Sequence, residues 1–335
     1  MKIKLLLIFA IAIFQVVSTA LYAQEQHDHS TNLARGINPE DFDTSVDPNV
    51  DFYRYSSGNW LKNNSIPPEY SSWSDWRAIQ LNNEKLLKEI LEDVTANPMM
   101  TSNSNGKMLG DIYYTALDTL KIESDGMNPV KEDLALIDGI SNKDDFIKVF
   151  SQMKQFRNGG LFSFWVGQDD KNSANVIMQL FQGGLGLPEK DYYFKDDPKS
   201  KEIREKYRQF MENIFVVIGN DRNTAAKISR DVMAIETRLA QASMSRVDMR
   251  EAEATYHLMT LQEVKALTPD FSWNVLFETI GIGDEGNFEK GINVGQPEFF
   301  KEVNRMLTDV IVNDWKNYLK WNLMRGSADK LSKPF

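Results

Sequence analysis

Apolar residues recur at intervals of three and four through most of this sequence, a spacing that places them along one face of an α-helix. Segments of this kind occupy 83–94, 108–117, 146–156, 198–219 and 228–242. The last of them could also supply a coiled-coil seam, but it is too short to favour that over a helix packed in a core. The periodicity therefore predicts a mainly α-helical protein.

Three of the predicted helices carry recognisable end signals. Asp197 and Pro198 are typical of a helix start, and Gly219 is typical of its end. Thr260 and Glu263 match a capping box, in which each side chain bonds to the backbone of the other. Ser141 is predicted to cap the helix that carries Phe146, Val149, Phe150, Met153 and Phe156.

A single pair of segments follows a β pattern. LFSFWVGQ (161–168) and SANVIMQLFQ (173–182) are joined by the short polar run DDKN, which predicts a hairpin. The stretch GGLGLPEKDYYF (183–194) comes next, and its glycines and proline suit a chain reversal between a strand and a helix. A phosphate-binding loop is the alternative, but Gly184 and Gly186 are not followed by the third glycine that such a loop requires.

The N-terminus has the pattern of a secretory signal peptide. Lys2 and Lys4 precede an apolar run of ten residues, and small residues offer cleavage after Ala20 or Ala23. The run is too short to span a bilayer. We therefore predict a signal peptide over 1–23, a flexible polar segment over 24–36, and an exported chain in the bacterial periplasm or outside the cell, with no membrane attachment after cleavage.

Charge and cysteine content restrict the partners. The formal net charge is −10 and becomes −12 once the two leader lysines are removed, which argues against nucleic acid and anionic membranes as partners. The sequence has no cysteine, so an exported protein of this kind depends on core burial rather than on disulfides.

The residues by themselves indicate no catalytic centre. The three histidines are His27, His29 and His257, and their spacing excludes H-E-x-x-H. His27 and His29 are interpreted as part of a solvated tail, and His257 as an ordinary polar residue. No cysteine and no G-x-S-x-G provides a nucleophile. Paired carboxylates stay open as a hydrolytic alternative, because 48 acidic residues make pairs unavoidable.

Five segments, in order along the chain, nevertheless carry a family resemblance. DPNVDFYRYSSGNWLKNNSIPPEYSSW (47–73) resembles the entry segment of the neprilysin and endothelin-converting-enzyme family of zinc endopeptidases. VGQDDKNS (166–173), the stretch from Gly184 to Tyr193, and two later segments resemble further landmarks of that family. The signature residues are Asp51, Phe52, Tyr53, Gly58, Trp60, Pro67, Gly184, Leu185, Gly186, Leu187, Pro188, Asp191 and Tyr192.

The resemblance implies a multi-helix lid domain over 37–335 that encloses oligopeptide substrates opposite a catalytic C-terminal half. It implies that zinc and all catalytic groups belong to that half, so no catalytic or metal-binding residue is assigned in this chain. The signature residues are expected to be structural. Trp73 is a candidate substrate-facing residue, at a position near which some relatives carry an arginine.

Two alternatives to the lid hypothesis stay open. The first is an exported helical module that binds peptides or glycans by itself, with Trp60, Trp73, Trp76 and Trp165 as contact surfaces. Core packing is the preferred interpretation of each of these tryptophans. The second is a hydrolase that uses carboxylates without zinc.

The C-terminal segment NDWKNYLKWNLMRG (313–326) is amphipathic, and its apolar side chains need a partner surface. Those side chains are Trp315, Leu319, Trp321 and Leu323. Since the nine residues that follow are too few to cover them, we expect exposed apolar surface here and interpret Phe335 as an interruption of a longer chain.

Overall fold

The computed structural model describes residues 36–68, 70, 72–96, 104–156, 160–283 and 288–335. The described residues form thirteen α-helices and one small sheet of four strands, so the predicted mainly α fold is confirmed. The predicted signal peptide (1–23) and all but the last residue of the polar segment, with His27 and His29, lie outside the described residues. The chain divides into two compact units, the first ending at Thr115 and the second starting at Ala116.

The first unit contains helices α1 (Phe52–Asn63) and α2 (Asp75–Ala96), and ends within α3 (Ser104–Leu117). Helix α2 contains the predicted segment 83–94, but Leu87 and Ile90 on its apolar face are 59% and 54% exposed. Of the α2 residues, only Val94 is buried. The periodicity therefore predicted the helix correctly, while most of its apolar face is not covered within the described residues.

The second unit holds the remaining helices and the sheet. Its helices are α4 (Thr119–Asp125), α5 (Lys131–Asp138), α6 (Lys143–Phe156), α7 (Asp191–Phe194), α8 (Pro198–Val217), α9 (Arg222–Ala242), α10 (Leu261–Leu267), α11 (Trp273–Ile280), α12 (Pro297–Asp309) and α13 (Val312–Ser327). A core of buried aromatic and aliphatic side chains runs through this unit. Helix α9 belongs to that core, since Ile228, Val232, Ile235 and Leu239 are all buried.

The predicted hairpin is present as β1 (Phe162–Asp169) and β2 (Asn172–Gln182), which pair antiparallel. The sequence did not predict β3 (Leu258–Met259) and β4 (Ile292–Val294). Strand β4 pairs parallel with β2 and antiparallel with β3, giving the order β1-β2-β4-β3. Strands of two or three residues are too short to show an alternating pattern of polar and apolar residues. Strand β4 also pairs with β2 across more than a hundred positions, so the local sequence did not indicate it.

The helix ends follow the predicted chemistry with one correction. Asp197 accepts a hydrogen bond from the Ser200 amide at 3.0 Å, and the capping box of Thr260 and Glu263 is formed. The prediction that Ser141 caps α6 is wrong by one residue. The cap is Asn142, whose Oδ1 accepts from the Asp145 amide at 3.0 Å, while the Asp145 carboxylate accepts from the Ser141 amide and hydroxyl.

The expectation of exposed apolar surface on α13 is also wrong. Trp315, Leu319, Trp321 and Leu323 are between 0% and 3% exposed. Their cover comes from earlier helices of the same unit, because α13 packs against α5, α6, α8 and α9. The Trp315 ring lies 4.6 Å from that of Phe146, and Trp321 contacts Tyr207 and Phe210. The partners Phe146, Tyr207 and Phe210 lie more than a hundred positions before the helix, so the nine residues after it gave no indication of this cover.

Candidate functional site

The loop 183–194 connects the end of β2 to the short helix α7. Its backbone lies against side chains from α13 at two points: the Tyr318 hydroxyl donates to the Gly184 carbonyl at 2.7 Å, and the Arg325 guanidinium donates to the Leu185 carbonyl at 3.3 Å. Gly184 has φ +79°, a left-handed conformation that favours glycine. The corner predicted from the sequence is therefore held by contacts to a distant helix.

Close packing also requires glycine at two positions of this loop, Gly184 and Gly186. A Cβ at Gly184 would lie 2.6 Å from the Tyr318 hydroxyl. A Cβ at Gly186 would overlap the Tyr207 hydroxyl and would lie 2.9 Å from Glu236 Oε1. Gly186 does not have a positive φ, so its requirement is for space alone.

Beneath the loop lies a fully buried carboxylate, Glu236 of α9. Its two oxygens accept hydrogen bonds from the hydroxyls of Tyr193, at 2.7 Å, and Tyr207, at 2.9 Å. The Tyr193 hydroxyl in turn accepts from the amides of Gly186 and Leu187 at 3.1 and 3.0 Å. A continuous chain of hydrogen bonds thus links the backbone of the loop to the core.

The same chain continues to α13, because Trp321 Nε1 donates to the Tyr207 hydroxyl at 2.8 Å. Burial raises the pKa of Glu236, against the opposing effects of hydrogen bonds from Tyr193 and Tyr207 and of the nearby Arg325 charge. Burial also raises the pKa of both tyrosines far above the ordinary value, so their hydroxyls stay protonated and act as donors. Because Glu236 is fully buried and both of its oxygens are hydrogen-bonded, its carboxyl group is not accessible to substrate.

The remaining signature residues of the loop make local contacts. Leu187 is buried next to Tyr193. Pro188 and Tyr192 each offer a carbonyl to an arginine, the first to Arg246 at 3.1 Å and the second to Arg204 at 2.8 Å. Asp191 forms an ion pair with Lys195 at 2.8 Å, and this partner raises the pKa of Lys195.

A cleft of about 200 Å³ lies along the outer side of the loop. Its lining includes Glu189 and Arg246, which face each other at 3.6 Å, and Lys190, which donates to the Ser243 carbonyl. The cleft has room for a small ligand, but its charged groups are already paired with protein partners. No nucleophile and base stand within hydrogen-bonding distance in this lining.

The described residues do not fit a zinc ion. No group of three or more His, Cys, Asp or Glu side chains in them is arranged to hold a metal. His257 immediately precedes β3; its amide donates to Asn293 Oδ1 at 2.7 Å, and its Nδ1 lies 3.1 Å from the Val294 carbonyl. Among the described residues, no helix is long and apolar enough to cross a membrane.

The entry signature lies in the first unit. Asp51 caps α1 by accepting from the Arg54 amide at 2.9 Å. Gly58 is buried against Asp43, whose pKa is lowered to about 2 by hydrogen bonds from Lys62 and then from Ser45. Phe52 and Tyr53 are exposed, and Trp60 and Pro67 are half-buried.

None of the four tryptophans considered as contact surfaces is fully buried. Trp60 and Trp73 are half-buried, and the Trp73 ring lies 5.3 Å from that of Tyr70. Trp76 is 82% exposed and Trp165 is 46% exposed. The preference for core packing is therefore wrong for Trp76 and Trp165.

Comparison with known proteins resolves the family. The family description of the N-terminal region of peptidase family M13 matches residues 48–335, which is most of the chain. The chain belongs to peptidase family M13. The resemblance to neprilysin and endothelin-converting enzymes is thereby confirmed, and the fold matches the helical N-terminal domain of the family.

Individual relatives agree with the family match. This M13 chain is 30% identical over 313 residues to an endothelin-converting enzyme homolog of Locusta migratoria and 28% identical over 301 residues to mouse endothelin-converting enzyme 1. In both cases 88% of the chain is covered, but it spans only 42% and 38% of the relatives.

Solved structures share the fold at lower identity. A zinc metalloprotease of Mycobacterium tuberculosis, solved with an inhibitor, has a TM-score of 0.78 at 24% identity, covering 89% of this chain and 45% of that one. PepO from Lactobacillus rhamnosis has a TM-score of 0.62 at 14% identity, covering 84% and 44%.

Sequence reasoning identified the loop and missed what lies beneath it. Glu236 and Tyr207 were not singled out, nor were Tyr318 and Arg325, which hold the backbone of the loop. One signal was available: Glu236 lies four residues after Val232 and three before Leu239, on the apolar face of α9. A charged residue at a core position requires buried partners.

Proposed function

We propose that this M13 chain is the substrate-enclosing helical portion of a zinc endopeptidase that hydrolyses oligopeptides. The observation that supports it most strongly is the family match over 48–335. The fold shared with a zinc metalloprotease over 89% of the chain agrees with it. In this proposal the chain forms one wall of a chamber, and a catalytic half forms the other.

The catalytic half supplies the zinc and the groups that act on the peptide bond. A catalytic zinc site uses about three protein ligands and an activated water. The described residues contain no side-chain cluster that could provide those ligands, so in this proposal the other half provides them. The partner of this chain is therefore a covalently attached catalytic half, as in its longer relatives.

The signature residues have a structural role in this proposal. Gly184 and Gly186 let the loop approach α13 and α8, and Tyr193 ties it to Glu236. A chamber wall has to keep its shape when substrate enters, and a loop fastened through buried hydrogen bonds provides this. Trp73, half-buried beside Tyr70, stays a candidate for contact with substrate.

We also propose that the protein is exported to the periplasm or beyond. The support is the charged start, the apolar run and the small residues of 1–23. Cell fractionation with an antibody against the chain tests this location.

The purified 335-residue chain is expected to hydrolyse no peptide, with or without added zinc, because the described residues hold no metal cluster and only three histidines are present in the sequence. The measurement is cleavage of an internally quenched decapeptide, followed by mass spectrometry of the products. Zinc-dependent cleavage that is blocked by a chelator and persists through repeated purification would contradict the proposed division of labour. Chelator-resistant cleavage would favour the carboxylate alternative.

A further inference from the structure

Strand β1 forms one edge of the sheet. The outward groups of Phe164 and Val166 have no hydrogen bond from other described residues, while the Gln168 carbonyl accepts one from the Gln179 side-chain amide at 3.4 Å. The neighbouring strand β2 shows which groups point outward. The Leu180 carbonyl accepts from the Gly295 amide at 2.8 Å, and the Gln182 amide donates to Gln296 Oε1 at 2.8 Å, so the even-numbered residues of β2 face β4.

In an antiparallel pair, successive residues point their amide and carbonyl groups to opposite sides. The β2 residues that face β1 are therefore Ile177, Gln179 and Phe181, which lie opposite Gly167, Trp165 and Ser163. The remaining β1 residues, Phe164 and Val166 among them, direct their amides and carbonyls away from the sheet. These groups form a row complementary to the backbone of another extended chain.

A bulge lies at the end of β1, between Gln168 and Asp169, but the strand before it lacks the other features that usually prevent strand pairing. Natural edge strands carry lysine or proline, or are short, or are covered. Between Phe162 and Gln168 the strand contains neither lysine nor proline, and β1 is eight residues long. Exposed apolar side chains flank it on both faces: Trp165 is 46% exposed on one, and Val166 and Val176 are 60% and 64% exposed on the other.

We propose that the outer edge of β1 binds an extended oligopeptide by strand addition, with apolar side chains of the peptide beside Trp165 and Val166. Backbone hydrogen bonds supply the affinity in this mode, and alternate side chains supply preference. The inference rests on the proposed function, since a peptidase is the setting in which an extended peptide is the natural occupant. A second copy of this chain is disfavoured as the occupant of the edge, because the formal net charge of −10 makes two such chains repel each other.

The test uses the full 335-residue chain and a fluorescein-labelled octapeptide of alternating valine and threonine between terminal lysines. Fluorescence anisotropy is expected to show saturable binding. A second peptide has the same sequence but is N-methylated at its two central residues, which removes a donor from each of its edges. We expect it to bind at least about tenfold more weakly, because backbone hydrogen bonds are lost. Methylation at the terminal lysines serves as the matched peptide control.

Val166→Pro removes an outward amide while leaving the β1–β2 hydrogen bonds in place, as proline at an edge position allows. We expect its affinity for the peptide to fall about tenfold, while Val166→Thr, which keeps the amide, stays within about twofold. Circular dichroism and thermal unfolding establish that Val166→Pro is folded. If it is not, the methylated peptides decide alone.

Four results would overturn the inference. Equal binding of the unmodified and centrally methylated peptides is one, and equal binding by Val166→Pro and Val166→Thr is another. The third is a concentration-dependent dimer that Val166→Pro abolishes, which would assign the edge to a second copy. Absence of peptide binding at β1 while the complete gene product still hydrolyses oligopeptides would refute strand addition and leave the proposed function intact.

Discussion

Replacing Gly186 with alanine is expected to lower the free energy of unfolding by about 3 kcal/mol, because the added methyl group overlaps the Tyr207 hydroxyl, which is held by hydrogen bonds to Glu236 and from Trp321. The Cβ would overlap the Tyr207 hydroxyl and would lie 2.5 Å from its ring carbon Cζ and 2.9 Å from Glu236 Oε1. Any shift that relieves the clash breaks the hydrogen bond from Tyr207 to Glu236. The measurement is urea unfolding followed by tryptophan fluorescence.

Gly219→Ala is the matched control. Gly219 follows helix α8 with φ +105°, and no described atom lies within 4 Å of the place that an added Cβ would occupy, so alanine there suffers backbone strain without a clash. Strain of that kind costs about 1–2 kcal/mol. If Gly186→Ala lowers the free energy of unfolding no more than Gly219→Ala does, the loop can move to accommodate the methyl group. The structural role proposed for the motif would then be wrong.

Glu236→Ala is expected to lower the free energy of unfolding by about 2 kcal/mol at neutral pH, since the hydroxyls of Tyr193 and Tyr207 lose their acceptor in a buried site. Glu298→Ala is the control, because Glu298 is exposed on α12 and pairs only with Lys301 in the described residues. Equal stability of the two variants would show that the buried network contributes nothing.

Glu236→Gln separates hydrogen bonding from charge. Burial raises the pKa of the native carboxyl above its ordinary 4.5, so at pH values between the two the folded state holds a proton that the unfolded state has released. The native protein therefore loses stability from this group as the pH rises from 4.5 through the raised value, while glutamine does not titrate. We expect the free energy of unfolding of Glu236→Gln to increase relative to that of the native protein as the pH rises. A movement in the opposite direction would mean that the pKa of Glu236 is lowered in the fold.

The helices were predictable because their signals are local. The spacing of Ile228, Val232, Ile235 and Leu239 and the capping box at Thr260 depend on neighbours within a few residues. The strand pairing of β4 was not predictable, because its three residues contact β2 across more than a hundred positions. The burial of α13 was missed for the same reason.

The candidate site was predictable only in outline. The glycines and proline of 183–194 indicated a corner, and the family resemblance marked it as a landmark. Gly186 has to be glycine because Tyr207 of α8 and Glu236 of α9 occupy the space that a Cβ would need. A single sequence contains those residues but not their proximity.

Size selectivity of the complete gene product, loaded with zinc, tests the enclosing role most directly. The rate constant kcat/KM is measured for a decapeptide and for the same ten residues placed in the middle of an unstructured chain of about one hundred residues. A chamber bounded by this helical region predicts rapid zinc-dependent cleavage of the decapeptide and a rate for the long chain lower by about a hundredfold, since closing around substrate excludes a long polymer. Cleavage of both at the same rate, or no zinc-dependent cleavage of either, would contradict the account.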